Sequence, residues 1–186
     1  MSRIIVAANK TLPRNGQQEL DTGIFYVVEP LKKLGHDVYF YDTVAPEEPD
    51  FDEVVERFNP DLIFCCFTGD PYITPYEPWE SIQRITYQGK IKTFNWFCDD
   101  TWRFDTFSSK VCWLFSYCST PEPSCIEKFR GIGYDNILLG AWHANSQCYP
   151  SMEYGDKDID LSFVGAINEE RKTFFDKSVV PVTLAQ

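Results

Sequence analysis

Blocks of apolar residues alternate with blocks of helical spacing along this chain, and the alternation predicts its elements. Arg3 to Ala8 is an almost unbroken apolar run and reads as a first strand. A polar loop with Pro13 and Gly16 follows. From Gln18 to Leu34 the apolar positions Leu20, Ile24, Val27, Val28, Leu31 and Leu34 fall near helical spacing, which predicts an amphipathic helix ended by Gly35. His36 to Tyr41 is a second strand, closed by Asp42. A strand, a helix, a glycine and a strand at these lengths form a βαβ unit, so the expected sheet is parallel with right-handed crossovers.

The same alternation then repeats. Phe51 to Phe58 is a short helix ended by Asn59-Pro60, and Asp61 to Phe67 is an apolar strand of the kind covered on both faces. Thr68-Gly69-Asp70-Pro71 opens a long loop. Glu77 to Tyr87 is a helix ended near Gly89, and Lys92 to Cys98 is the fourth strand. Leu114 to Ser119 is the fifth strand, Glu122 to Phe129 a helix, and Asn136 to Trp142 the sixth strand. Asn145 to Lys157, with Pro150 and Gly155, reads as a linker. Asp158 to Gly165 is a new strand and Asn168 to Asp176 a helix, after which the chain stops at Gln186. The fold class is therefore α/β: a Rossmann-like parallel sheet flanked by helices over residues 1–150. Residues 151–186 then supply a linker and the first strand and helix of a second, incomplete domain.

Composition narrows the functions. With 186 residues, 44% of them hydrophobic and 16% aromatic, the chain can bury a substantial core. A net charge of -11 argues against nucleic acid and against anionic membrane surfaces, since no basic stripe offsets the acids. The N-terminus reads as a strand rather than a signal-peptide core, and no apolar run approaches a membrane span. Seven cysteines, mostly inside apolar runs, suit buried thiols in a reducing cytoplasm. Short C-x-x-C hooks are missing and only His36 and His143 could add imidazole, so no metal site is expected.

The chemistry concentrates where strands end, because ligands of α/β sheets bind beyond the strands' carboxyl edge. The richest such edge is Phe94-Asn95-Trp96-Phe97-Cys98-Asp99-Asp100-Thr101-Trp102-Arg103-Phe104. Two adjacent carboxylates are followed at once by an indole and a guanidinium. Asn9 and Lys10 follow the first strand, and Gly69 and Asp70 follow the third, at equivalent positions. The first-strand loop lacks the glycine pattern of dinucleotide binders.

Three places in order resemble the N-terminal half of a GT-B-type glycosyltransferase, in particular the spore-maturation CgeB-like group. They are Leu34-Gly35-His36-Asp37-Val38, the Phe94 to Phe104 stretch, and Asp158 to Gly165 with Arg171. In that family the N-terminal half takes the acceptor and the C-terminal half holds a sugar-nucleotide donor. The resemblance therefore implies an acceptor-binding half, incomplete or inactive alone, with a nucleotide-sugar donor and no cofactor required by the sequence itself. It implies a sugar or glycan acceptor as partner, with a second half-domain or a second copy of the chain completing the enzyme. Phe163, Phe174 and Phe175 form an apolar remnant suited to such association.

Each site candidate carries two readings. Asp99 and Asp100 are an acceptor-activating carboxylate, which takes the proton of an attacking hydroxyl, or a helix cap with a first-turn acid. Trp102 and Arg103 grip a sugar face and an anion, or are a packed indole and an ion-paired guanidinium. His143, just past the sixth strand, is an acid, base or phosphate donor, or is structural. His36 is structural. Gly165 would approach the donor phosphates of a complete enzyme. Two other functions compete: a non-catalytic binding module for a sugar, nucleotide or protein, and a receiver-like signalling domain. The latter ranks last because Asp70 is offset from the strand end that a receiver requires.

Overall fold

The computed structural model describes residues 1–14, 17–20, 23–141, 155, 162–164, 169–177 and 183–185. The chain divides into two compact units, Met1–Asn145 and Ser146–Gln186.

In chain order the first unit contains β1 (Arg3–Ala8), β2 (Thr11–Arg14), β3 (Gln17–Leu20), and a π-helical turn at Ile24–Val28 that runs into α1 (Glu29–Lys33). Then come β4 (Asp37–Asp42), α2 (Phe51–Phe58), β5 (Leu62–Cys65), α3 (Trp79–Gln88) and β6 (Lys92–Trp96). A continuous helical stretch follows: α4 (Asp100–Arg103), a second π-helical turn (Phe104–Ser108), α5 (Ser109–Val111) and a 3-10 turn at Cys112–Leu114. β7 (Tyr117–Thr120), α6 (Pro123–Gly131) and β8 (Ile137–Leu139) complete it.

Six strands form one sheet in the order β4-β1-β5-β6-β7-β8, and every pairing is parallel. The α/β, Rossmann-like expectation is thus met. Strand alternation sets which core each residue enters. On β1, Ile5 and Ala7 join the larger core with Val54 of α2, Ile82 of α3 and Phe129 of α6. Ile4, Val6 and Ala8 face the other way, against Val27, Val28 and Leu31. The helices stop where their ends are chemically marked. Asp50 caps α2 by accepting from the amides of Asp52 and Glu53 at 2.9 and 3.3 Å. Asn59 and Gly89 end α2 and α3 in the left-handed conformation.

Three elements differ from the sequence expectation. The first helix begins at Ile24, not Gln18, because Gln17–Leu20 pairs antiparallel with Thr11–Arg14. The dipeptide between those strands is Asn15-Gly16, the strongest two-residue hairpin signal. Second, Asp100 to Leu114 is almost continuously helical, where the sequence pattern gave no clear element. Third, the second unit contains β9 (Ser162–Val164), α7 (Glu169–Asp176) and also β10 (Thr183–Ala185), which pairs parallel with β9. The tail is thus a βαβ unit rather than one strand and one helix. Among the described residues no helix is long and apolar enough to cross a membrane.

Candidate functional site

Strand order reverses at β1, since β4 lies on one side of it and β5 on the other. A crevice at the carboxyl edge of such a switch point is where open α/β sheets bind ligands. A cavity of about 900 Å³ occupies that place. Its floor comes from the exits of three strands: Ala8 and Asn9 after β1, Cys66 to Asp70 after β5, and Trp96 to Asp99 after β6. Trp102, Arg103, Thr106 and Phe107 from the helical stretch form its wall, and Gly23 and Tyr26 also line it. Both π-helical turns of the described residues thus border or enter the lining, a placement common for such turns.

The helical period after β6 decides which residues reach the cavity. Asp99, Trp102, Arg103 and Thr106 recur at helical spacing and line it. Asp100 and Phe104 lie on the opposite side, 1% and 6% exposed. The adjacent carboxylates are therefore separated. Asp99 sits at the N-cap position of α4, yet its side chain makes no cap hydrogen bond, and it is exposed at the mouth. Trp102 is 68% exposed, with the Arg103 guanidinium 5.6 Å from its ring centroid, so it is not the buried indole of the structural reading.

Asp100 is buried with both carboxylate oxygens unpartnered. Burial pushes its carboxyl above the usual range. The nearby Ser108 and Thr120 hydroxyls and the Arg103 charge pull the other way, without the hydrogen-bonding geometry that would satisfy either oxygen. A group so placed stores a desolvation cost. It is not among the cavity's lining.

Arg103 is committed to the protein. Its guanidinium donates to the Thr68 carbonyl and stacks 4.3 Å from the centroid of the Phe107 ring. It makes no ion pair with Asp99, Asp100 or Asp105 among the described contacts, so it is held differently from the ion-paired expectation. Through Thr68 it fastens the β5 exit loop to the helical wall.

Glu77 shapes that loop, and sequence reasoning missed it. Its carboxylate accepts from the amides of Thr68 at 2.5 Å and Gly69 at 2.9 Å, and from the Thr74 hydroxyl at 2.8 Å. Burial raises the Glu77 carboxyl and these hydrogen bonds pull it back. Gly69 completes the fit, with φ +65° and no room for a side chain: an added Cβ would lie 2.2 Å from Phe107 Cε2. Asn95 supports the same turn, because its Oδ1 accepts from the Phe67 amide at 3.0 Å beyond the end of β5. The only advance signal for Glu77 was an acid placed just before α3.

The other candidates fall as follows. Asn9, Gly69 and Asp70 line the cavity. Asp70 also accepts from the Tyr72 amide at 2.9 Å. Lys10 is exposed outside the lining, its amide held by Asp42 Oδ1 at 3.0 Å. His143 and Gly165 lie outside the described residues. His36 accepts the Ser2 amide at 3.2 Å, a structural use. Among the described residues no group of three or more His, Cys, Asp or Glu could hold a metal ion.

The site offers an exposed carboxylate, an exposed indole, an amide and aromatic walls around a preformed cavity. That set can stack a ring, accept hydrogen bonds from hydroxyls and take a proton from one of them. No protein-family model matches this chain, and no curated protein matches it.

Proposed function

We propose that the first unit is the acceptor-binding half of a sugar-nucleotide-dependent glycosyltransferase. The observation that carries this is that Asp99 and Trp102, three residues apart on the helical stretch, both line the switch-point cavity. An indole face suits the C–H face of a pyranose. A carboxylate beside it can orient an acceptor hydroxyl and take its proton as the new bond forms, a role that general bases fill in group transfer. Asp99 is the base in this reading. Asn9 and Asp70 bind hydroxyls, and Asp100 has no contact with the substrate.

The nucleotide-sugar donor is held elsewhere, by the second unit or by a partner chain, so transfer requires that second part. Cytoplasmic residence fits the free, buried thiols of Cys65, Cys112, Cys118 and Cys125. A second reading, a non-catalytic sugar-binding domain, is favoured by one observation: every residue of the cavity's described lining comes from the first unit.

A thermal-shift panel of mono- and disaccharides and sugar nucleotides tests both, since a ligand of the folded state stabilises by RT ln(1 + [L]/Kd). Stabilisation by a sugar, with transfer from a donor, supports the enzyme. Stabilisation without transfer under any donor supports the binding domain. No stabilisation by any sugar contradicts both.

A further inference from the structure

The charge and size of the cavity say more than that a sugar fits. Among its described lining residues the carboxylates are Asp70 and Asp99, and the single cation is Arg103. Its guanidinium donates to the Thr68 carbonyl and stacks on Phe107, and its one positive charge is outnumbered by the two carboxylates. Just behind the floor, Glu77 adds a third carboxylate against the Thr68 and Gly69 amides, so those amides are not free to hold an anion either. Phosphate sites in α/β folds rest on free backbone amides or unpaired Arg and Lys groups. Here the Gly69 loop has the look of such a site, with its amides already occupied by the protein's own acid.

The volume, about 900 Å³, lies near the upper end of the roughly 300–1,000 Å³ usual for small-molecule pockets. It has room for more than one sugar ring. Trp102 stands exposed on the wall as a platform for a ring beyond the floor.

We infer that this cavity takes the end of an uncharged glycan of two or more sugars and rejects phosphate-bearing ligands. The inference rests on the acceptor-side reading and narrows its substrate class. Phosphate groups of any donor are bound outside this cavity.

The test is a titration of the full chain, read by tryptophan fluorescence, with cellobiose, lactose and N,N′-diacetylchitobiose, each compared with its own monophosphate, with its parent monosaccharide and with uridine diphosphate. The expected result is that at least one neutral disaccharide binds at least tenfold tighter than its phosphate and its monosaccharide, and that it is not competed by uridine diphosphate. In Asp99→Asn the penalty for the phosphate shrinks towards parity. Phosphorylated sugar or uridine diphosphate binding as tightly as the neutral sugar, in competition with it, overturns the inference and leaves the sugar reading standing. A monosaccharide that binds as tightly as the disaccharide overturns the two-ring claim. Failure of every sugar to bind overturns the inference together with the function it rests on.

Discussion

The helical stretch after β6 has two sides with opposite chemistry. On the cavity side Asp99 and Trp102 are exposed, with the Arg103 guanidinium 5.6 Å from the Trp102 ring centroid. On the core side Phe104 packs edge-on against Phe129, ring centroids 4.8 Å apart, and Asp100 is sealed beside it. Two neighbouring aspartates thus meet different surroundings: one faces water and the cavity, the other a nearly dry interior. A doubled acid in a sequence is therefore not a doubled function. Successive residues on a helix diverge by about 100°, so only one of an adjacent pair can face a given site.

Substitutions that read stability and binding separately would break or sharpen this contrast. The largest effect is expected from Phe104→Ala, which should cost about 3–5 kcal/mol in denaturant unfolding, as truncation of a buried aromatic does. The sugar affinity of the molecules that remain folded should hardly move. Gly69→Ala comes next, at about 2–4 kcal/mol from the left-handed backbone and overpacking against Phe107, and here binding should fall as well because the cavity floor moves. Trp102→Ala should leave stability within about 0.5 kcal/mol, as exposed positions do. It should weaken sugar binding on the order of tenfold, about 1.4 kcal/mol, the scale of one stacked ring. If Trp102→Ala unfolds the chain as Phe104→Ala does, the two sides are not distinct.

The smallest effect concerns pH and isolates Asp100. Because burial raises its carboxyl, the folded chain binds that proton more tightly than the unfolded chain. Its contribution to stability is fully present below the unfolded carboxyl range and is lost as pH rises through the raised, folded value. Asp100→Asn removes the loss. Its melting temperature should exceed that of the parent at neutral pH, and the two should converge as the pH falls into the ordinary aspartate range. A parallel offset at every pH would show that Asp100 is satisfied in the folded state.

The sheet was legible in the sequence because buried parallel strands leave long apolar runs, as at Arg3 to Ala8 and Asp61 to Phe67. The ends of α2 and α3 were legible because Asn59-Pro60 and Gly89 are chemical stops. The start of the first helix was not. Leu20 falls in phase with the helical apolar positions although it belongs to a hairpin strand, and the Asn15-Gly16 signal outweighed that phase.

At the site, the strand-exit rule located Asp99, Trp102, Gly69, Asp70 and Asn9 on one cavity. It could not separate Asp99 from Asp100 until the next residues were known to be helical. The π-helical turn at Phe104–Ser108 distorts the regular period that would have announced that helix. Glu77 was invisible for another reason: its partners are backbone amides of Thr68 and Gly69, which leave no trace in side-chain pattern. Of the two readings of Arg103, the ion-paired one fails because the fold brings the Thr68 carbonyl and Phe107 nearer than the three aspartates, while the residue still lines the cavity.

The most direct test of the central claim is a crystal structure of the chain with the best-bound neutral disaccharide at saturating concentration. The account predicts density for a ring lying flat on the Trp102 indole, with a hydroxyl within hydrogen-bond distance of the Asp99 carboxylate and none near Asp100. Sugar density at any other surface, with the cavity between Asp99 and Trp102 empty, would contradict it.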